Sequence, residues 1–472
     1  MTSDAHSRPW FRRHRTLLLG LAAILLFITL LLGYRRWQNH RLQKQITAHL
    51  AAIRAQGYPV TLAELDAWYV TPPDPENAAI EIIAASRHIT DYWTHGGQWM
   101  DINYSNNLHE ATLPLSVPAR TALASIIHSN QTALTLLRTG LAKPHCRYPV
   151  DYVTYHLPAV NNARAAAREL NQLLRWETFH FQAEGQSEAA LDSLITQLQL
   201  ADTLSADPSL MALMIRHGIL DSALRSLAKQ FSADSPSTNS LSRLSPLLLK
   251  LDQETSLPRA LAGERIYFLE RETQKDIASG IYYKTPFDNW PTNLHALGPL
   301  IYKYGGHELS DRFHYLELLS SAIESAETSS AAMLRFANDT KTTYPEDAKP
   351  AWSQTRTSNT AGILPFLIRT TLSSQAHCRL AHVAVAVEEY WNHHGKLPNQ
   401  MNDMVPAYLE KIPDDPFSAS GVLYRRTAEG YRIYSVDEDG LNDGGKDYTE
   451  RKKPLTSDLV FKVERTNKPR SK

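Results

Sequence analysis

Five oxygen-bearing side chains lie close together near the C-terminus, in a short segment that also contains three glycines. The side chains belong to Asp437, Asp439, Asn442, Asp443 and Asp447, and the glycines are Gly440, Gly444 and Gly445. Calcium takes roughly six to eight oxygen ligands, and flexible glycine-rich turns let several carboxylates converge on one ion. The final glutamate of an EF-hand loop is missing, so two interpretations stay open: a calcium site, or an acidic turn exposed to solvent.

One pair that contains a histidine could also support metal chemistry. Glu177 and His180 form an E-x-x-H pair like one part of a di-iron site, yet the sequence offers no second copy. We therefore expect a surface or packing role for these two residues rather than metal binding. His393 and His394 are predicted to end a helix, where histidine interacts favourably with the helix dipole.

Cysteine usage and the absence of catalytic motifs point away from an enzyme. Cys146 and Cys378 are the only cysteines, which excludes a disulfide scaffold and a cysteine-rich metal site. A disulfide between them stays open in an oxidising compartment, but we expect two separate buried thiols. His145 and His377 precede them, and neither pair has the surrounding signature of a thiol nucleophile. The sequence also lacks the G-x-S-x-G, H-E-x-x-H, P-loop and dinucleotide-binding patterns.

The elements that position these residues are predicted to be mostly helical. Apolar residues recur three and four positions apart in Ala163–Gln182 and Glu188–Ser205, which indicates a helical array within a body spanning residues 35–339. Thr61 and Glu64 form a capping box that predicts a helix starting at Leu62, and Asn77 is suited to cap another. Residues 340–359 are polar with two prolines and are interpreted as a linker.

A small α+β module is predicted at residues 360–465, followed by a polar tail at 466–472. Apolar residues between Ala376 and Trp391 fall on one face of a helix. Val422–Arg425 and Tyr431–Val436 have the composition of strands, and alternating apolar residues from Leu459 predict a third. The predicted fold is therefore mainly α, ending in a helix packed on a small antiparallel sheet.

The N-terminus is predicted to carry a transmembrane signal anchor at residues 16–34, after a basic tail at 1–15. Leu17–Gly33 contains no charged residue and is close to the roughly 20 residues needed to span a bilayer. Tryptophans and arginines flank it on both sides, as at membrane interfaces. A cleaved signal peptide is disfavoured because Gly33 is followed by Tyr-Arg-Arg-Trp, and a buried core helix is disfavoured because arginines bracket the segment.

Charge distribution gives the expected location and partners. Four basic residues precede the apolar segment and four follow it closely, so the free N-terminus and the tighter preceding cluster favour a cytoplasmic N-terminus. We therefore expect a single-pass membrane protein whose body lies outside the cytoplasm. Lys plus Arg and Asp plus Glu both number 49, and this neutral balance argues against a nucleic-acid partner.

The order of features in the C-terminal module resembles a known family, the globular part of type II secretion major pseudopilins. The resemblance rests on Ala384–Tyr390, His394–Pro398, Val405–Leu409, Ile412–Phe417, Tyr424, Tyr431–Ser435 and Asp439-Gly440. The resemblance implies the pseudopilin fold. Because the corresponding loop of related pseudopilins binds calcium, it also implies a calcium site at the five oxygen-bearing residues. The whole chain also resembles large membrane-anchored proteins of unknown function from planctomycete-type bacteria that carry such a C-terminal segment.

The chain departs from pseudopilins in ways that change the expected role. More than 300 residues separate the apolar segment from the module, and the segment lacks the prepilin cleavage point and its nearby glutamate. We therefore expect a non-catalytic anchored protein, acting with a lipid bilayer and an unknown protein partner in contact or secretion-type assembly. The alternative is an anchored extracytoplasmic hydrolase whose site is assembled from the tyrosine-rich segments Asp91–Tyr104 and Ile281–Tyr304.

Overall fold

The computed structural model describes residues 8–90, 115–150, 152, 157–253, 256–271, 307–344, 356–446 and 458–465. Within these ranges the chain is mainly helical, with one small antiparallel sheet near the C-terminus. The α-helices are α1 (Arg8–Ala55), α2 (Leu62–Trp68), α3 (Ala78–Arg87), α4 (Val117–Ser129), α5 (Gln131–Leu141), α6 (Leu157–Ala183), α7 (Ser187–Asp202), α8 (Leu210–Ala233), α9 (Thr238–Asp252), α10 (Ser256–Arg271), α11 (His307–Thr328), α12 (Ser330–Thr343) and α13 (Arg356–His394). The strands are β1 (Leu423–Arg426), β2 (Gly430–Ser435) and β3 (Leu459–Glu464).

Helix α1 contains the predicted apolar segment and extends beyond it on both sides. It runs without a break from Arg8 to Ala55, because neither proline nor glycine interrupts its polar second half. The large apolar side chains between Leu19 and Leu32 are exposed, for example Phe27 at 66% and Leu30 at 64%. By length and composition this helix can cross a membrane. Gly57, at φ 85°, lies just beyond its end in the left-handed conformation typical of a helix stop.

The chain divides into two compact units. The first comprises Met1–Tyr58, Gly280–Leu318 and Glu346–Thr360, and the second comprises Pro59–Ser279, Leu319–Pro345 and Ala361–Lys472. In the first unit, the buried carboxylate of Asp311 on α11 accepts hydrogen bonds from the backbone N–H and hydroxyl of Thr357 on α13, at 3.2 and 2.6 Å. This buried pair ties the beginnings of the two helices together.

In the second unit the predicted helix starts are confirmed. Thr61 accepts a hydrogen bond from the backbone N–H of Glu64 at 3.1 Å, and α2 begins at Leu62. The Glu64 carboxylate accepts from the backbone N–H of Val60 at 2.9 Å, one residue earlier than a capping box requires. Asn77 caps α3 by accepting the N–H of Ala79 at 3.1 Å.

Helices α6 to α10 form the centre of the second unit, where apolar packing surrounds one ion pair. Arg164 and Asp207 are each 1% exposed and are joined by two hydrogen bonds of 2.7 and 2.8 Å. A bidentate geometry of this kind compensates for the loss of water around both charges. Helix α10 approaches the same loop closely: a Cβ on Gly263 would lie 1.9 Å from the carbonyl oxygen of Pro208.

The predicted helix on an antiparallel sheet is present at the C-terminus. The strands lie in the order β1-β2-β3, with Tyr424 opposite Ile433 and Ile433 opposite Phe461. The apolar face of α13 is buried, as are Tyr431, Ile433 and Phe461 of the sheet. Phe461 also contacts Phe231 of α8 with ring centroids 6.0 Å apart. The sheet therefore belongs to the same compact unit as the helical body.

The predicted linker at residues 340–359 overlaps a helix at each of its ends. Helix α12 continues through Thr343, because Thr340 is buried at 5% exposure and forms part of its packed face. Helix α13 already begins at Arg356, well before the predicted apolar face at Ala376. Residues 345–355 lie outside the described part of the chain.

Candidate functional site

The acidic loop begins directly after β2 and is held to a second turn by one buried carboxylate. Asp415 is 3% exposed and lies in the turn before β1. Its Oδ1 accepts a hydrogen bond from the hydroxyl of Ser435 at 2.7 Å, and its Oδ2 accepts the backbone N–H of Val436 at 3.0 Å. Asp437 then adopts a left-handed backbone at φ 55°, which aspartate tolerates better than most residues. This contact fixes where the loop leaves the sheet.

Negative charge is concentrated at the start of the loop. Burial raises the pKa of Asp437 to about 6. A hydrogen bond from the backbone of Glu438 acts in the opposite direction and lowers this pKa. Repulsion from the carboxylates of Glu438, Asp439 and Asp415 raises the pKa of Asp437 further. Protonation or a bound cation would relieve this repulsion.

The oxygens of Asp439 and Asn442 are partly used by the loop itself. Asp439 Oδ1 accepts the N–H of Leu441 at 2.9 Å, and Asn442 Oδ1 accepts the N–H of Gly444 at 2.9 Å. Asp439 Oδ2 is buried and has no hydrogen-bond partner among the described residues. A buried carboxylate oxygen without a donor is the kind of atom that a hard cation would satisfy.

The far end of the loop is held by groups that the sequence analysis did not single out. Asp458, just before β3, accepts the backbone N–H groups of Asp443 at 3.3 Å and Gly445 at 2.7 Å. Arg432 donates to the carbonyl of Gly445 at 2.8 Å. The one sequence signal for Asp458 is its place just before the alternating strand. Asp415 lies within Ile412–Phe417, one of the segments that carry the resemblance.

The structure brings together only part of the predicted ligand set. Asp437, Asp439, Asn442 and Asp443 lie in one loop, whereas Asp447 lies outside the described residues. Among the residues that are described, no three His, Cys, Asp or Glu side chains form a group able to hold a metal ion. Two features fit a cation, namely the unsatisfied Asp439 oxygen and the repulsion at Asp437, but the described residues do not form a complete cage.

A cleft of about 750 Å³ in the second unit is the other concave candidate site. Its wall includes Trp68, His145, Cys146, Asp202 and Arg259. The guanidinium of Arg259 lies 4.1 Å from the ring centroid of Trp68, and its Nε donates to the carbonyl of Ala206 at 3.3 Å. The cleft therefore combines an aromatic surface with charged groups that are already engaged in contacts.

Cys146 in this cleft is not suited to act as a nucleophile. Burial raises the pKa of its thiol to about 12. Hydrogen bonds from Thr203 and Tyr148 lower this pKa, but burial has the larger effect. The thiol therefore stays protonated at neutral pH, whereas nucleophilic attack requires the thiolate. Cys146 and Cys378 are separate free thiols, and of the two only Cys378 is fully buried, whereas the sequence predicted burial of both.

Two other sequence candidates, Glu177 and His377, have packing roles. Glu177 is 2% exposed and accepts hydrogen bonds from Arg138 at 2.6 Å and from the hydroxyl of Ser193 at 2.7 Å. His377 is buried on α13, and burial lowers its pKa to about 4 against the attraction of Asp221. A carboxylate occupied by two donors and a neutral buried imidazole both serve the core, as predicted.

The tyrosine-rich segments Asp91–Tyr104 and Ile281–Tyr304, which the hydrolase alternative requires, lie outside the described residues. Comparison with known proteins adds no assignment to either candidate site. No protein-family model, no curated protein and no solved structure matches this chain.

Proposed function

We propose that this protein is a single-pass, membrane-anchored envelope protein with a non-catalytic role in protein contact or assembly. Helix α1 carries the proposal. Its apolar stretch from Leu17 to Gly33 is about 26 Å long at 1.5 Å per residue, close to the thickness of the hydrocarbon core. Leu19, Phe27 and Leu30 are all more than half exposed, which is costly in water and favourable in lipid.

The charge pattern around α1 supports insertion in a membrane. No aspartate or glutamate occurs between Asp4 and Glu64, so every formal charge on the helix is positive. Arg35 and Arg36 follow the apolar stretch directly, where long basic side chains can reach lipid phosphates. Beyond Gly33 the same helix continues for about 33 Å to Ala55, well outside the hydrocarbon layer.

A bacterial inner-membrane location with a periplasmic body forms part of the proposal, as does kinship of the C-terminal module with pseudopilins. The helix-on-sheet fold is compatible with that kinship, and the absence of the prepilin cleavage point argues against filament assembly. The neutral thiol of Cys146 and the occupied Glu177 carboxylate argue only against those two residues as catalytic groups, because the segments that the hydrolase alternative requires lie outside the described residues.

The acidic loop is proposed to bind calcium within this envelope setting. Asp437 and Asp439 would provide carboxylate oxygens, with Asn442, Asp443 and Asp447 as the further donors of the proposed set. The support is the buried, unsatisfied Oδ2 of Asp439 and the mutual repulsion that raises the pKa of Asp437. Bound calcium would supply charge neutralisation and fix the loop, which is a structural role.

A pair of fusions in a bacterial host tests the anchor and its orientation. Alkaline phosphatase, which is active only in the periplasm, and green fluorescent protein, which matures in the cytoplasm, are each joined after Lys472. We expect phosphatase activity, no fluorescence, and a protein that stays in the membrane after alkaline carbonate extraction. A variant lacking residues 16–34 is the control and should leave the membrane fraction.

Two outcomes would contradict the proposal separately. Release of the full chain by carbonate would exclude an anchor, and fluorescence without phosphatase activity would place the body in the cytoplasm. Turnover of a peptide, glycan or ester by the purified protein, lost on changing one polar residue, would replace the non-catalytic role with the hydrolase.

A further inference from the structure

Two imidazoles and a phenol converge at the C-terminal end of α13, outside the acidic loop and the cleft. His393 and His394 are the last two residues of the helix, and both are exposed. The Nδ1 atom of His393 lies 2.9 Å from the hydroxyl oxygen of Tyr408, and that oxygen lies 3.2 Å from Nε2 of His394. One phenol oxygen thus contacts both imidazoles.

The three side chains are held in place by the packing beneath them. Tyr408 follows a short 3₁₀ helix, Met401–Met404, and its backbone N–H donates to the carbonyl of Met404 at 2.8 Å. Met404 and Leu409 are 0% and 1% exposed, so the turn that carries Tyr408 is anchored in the core. The ring of His394 also contacts Tyr390 with centroids 4.2 Å apart. The cluster is therefore built on fixed elements.

The surrounding charge favours a cation at this position. The last carbonyl groups of α13 give the helix end a partial negative charge. Glu389 lies one turn before His393 on the same helix, and the two side chains interact electrostatically. The helix end and the Glu389 carboxylate both attract positive charge.

We propose that His393, His394 and Tyr408 form a binding site for a divalent transition-metal ion, with Cu²⁺ bound most tightly. The ion would bind Nδ1 of His393, Nε2 of His394 and the phenol oxygen of Tyr408. The phenol proton passes to solvent as the metal–oxygen bond forms, so the balance is one ion bound and one proton released. Imidazole and phenolate are nitrogen and oxygen ligands, and divalent ions bind such sites in an order that peaks at copper.

The distances already match those between neighbouring metal ligands. Bonds of about 2.0 Å place adjacent donor atoms about 2.8 Å apart in a square-planar site and about 3.3 Å apart in a tetrahedral one. The two observed separations, 2.9 and 3.2 Å, lie between these values. The phenol oxygen is therefore already at ligand spacing from both nitrogens. When an ion binds, the phenol proton passes to solvent, and the imidazole nitrogen that donates to the phenol oxygen gives up its proton as the other ring nitrogen takes one from solvent.

Titration of the full-length protein in detergent with Cu²⁺ tests the site, using protein without a histidine tag and with glycine as a competing ligand. We expect one tightly bound ion per chain, a nitrogen-coordinated Cu²⁺ signal in electron paramagnetic resonance, and the charge-transfer absorption of a copper-bound phenolate. His394→Gln and Tyr408→Phe should each raise the Kd by at least roughly tenfold. Tyr408→Phe should also abolish the charge-transfer band.

His128→Gln is the matched control, because His128 is an exposed histidine on α4. It should leave the affinity and the spectrum unchanged. Circular dichroism of the metal-free variants shows whether each one is folded, and we expect wild-type spectra because His394 is exposed and Tyr408→Phe removes only a hydroxyl. Binding that is equal in wild type, His394→Gln and Tyr408→Phe would mean adventitious surface binding and would overturn the proposal, as would an absent phenolate band.

Discussion

Removing the carboxylate of Glu388 should destabilise the C-terminal half of the second unit. Glu388 is 0% exposed. Its Oε1 accepts the hydroxyl of Tyr431 on β2 at 2.7 Å, and its Oε2 pairs with the guanidinium of Arg465, which follows β3. One carboxylate thus joins the helix to two strands.

The cost can be estimated from these contacts. Loss of one partner from a buried ion pair costs about 3–5 kcal/mol, because the other charge is left without compensation. The Arg465 side chain is 20% exposed, so water compensates in part and the lower end applies. The hydroxyl of Tyr431 loses its acceptor as well, which adds about 1 kcal/mol. We expect Glu388→Ala to lower the free energy of unfolding by about 3–4 kcal/mol.

Urea denaturation of the detergent-solubilised protein, followed by circular dichroism, measures this loss. Glu389→Ala is the matched control: it removes a partly exposed glutamate from the next position and should cost less than about 0.5 kcal/mol. Adding Arg465→Met to Glu388→Ala should recover part of the loss, because no charge is then stranded. Equal midpoints for Glu388→Ala and Glu389→Ala, or no recovery in the double variant, would refute the ion-pair explanation.

Two further predictions concern the acidic loop. The folded-state pKa of Asp437, about 6, lies above its ordinary value of 3.8, so the ionised carboxylate costs stability increasingly as the pH rises between these values. Asp437→Asn should therefore stabilise the calcium-free protein at pH 7, by at most about 3 kcal/mol, and have no effect near pH 3 in urea denaturation. Calorimetry of the full chain should show heat of calcium binding and a higher melting temperature; neither change at millimolar calcium would end the calcium proposal.

Elements with a short sequence period could be predicted, and contacts between distant residues could not. The alternation of apolar and polar residues from Leu459 predicted β3, and the capping residue Asn77 predicted the start of α3. Nothing near Glu388 in the sequence indicated its role, because Tyr431 and Arg465 lie 43 and 77 residues further along the chain. Pairing at such separations depends on how the sheet docks on the helix, which no local pattern encodes.

The same limit applies at the acidic loop. Its residues were found because they are adjacent in the sequence, whereas Asp415 and Asp458, which hold it in place, come from a turn and a strand on either side. The Tyr408 cluster was missed for a related reason. From the sequence alone, the histidine pair is typical of a polar helix end. Its contact with Tyr408 depends on a turn that brings this residue, 14 positions further along the chain, back to His394.

The position of the sheet also constrains how this protein could assemble with others. Strand β3 packs against α8, and the backbone N–H of Glu464 donates to the hydroxyl of Ser232 at 3.1 Å. The opposite edge is β1, a strand of four residues that ends in the exposed Arg425 and Arg426. Short, charged edge strands resist pairing with another chain. Any partner is therefore expected to bind through side-chain surfaces rather than by adding a strand to this sheet.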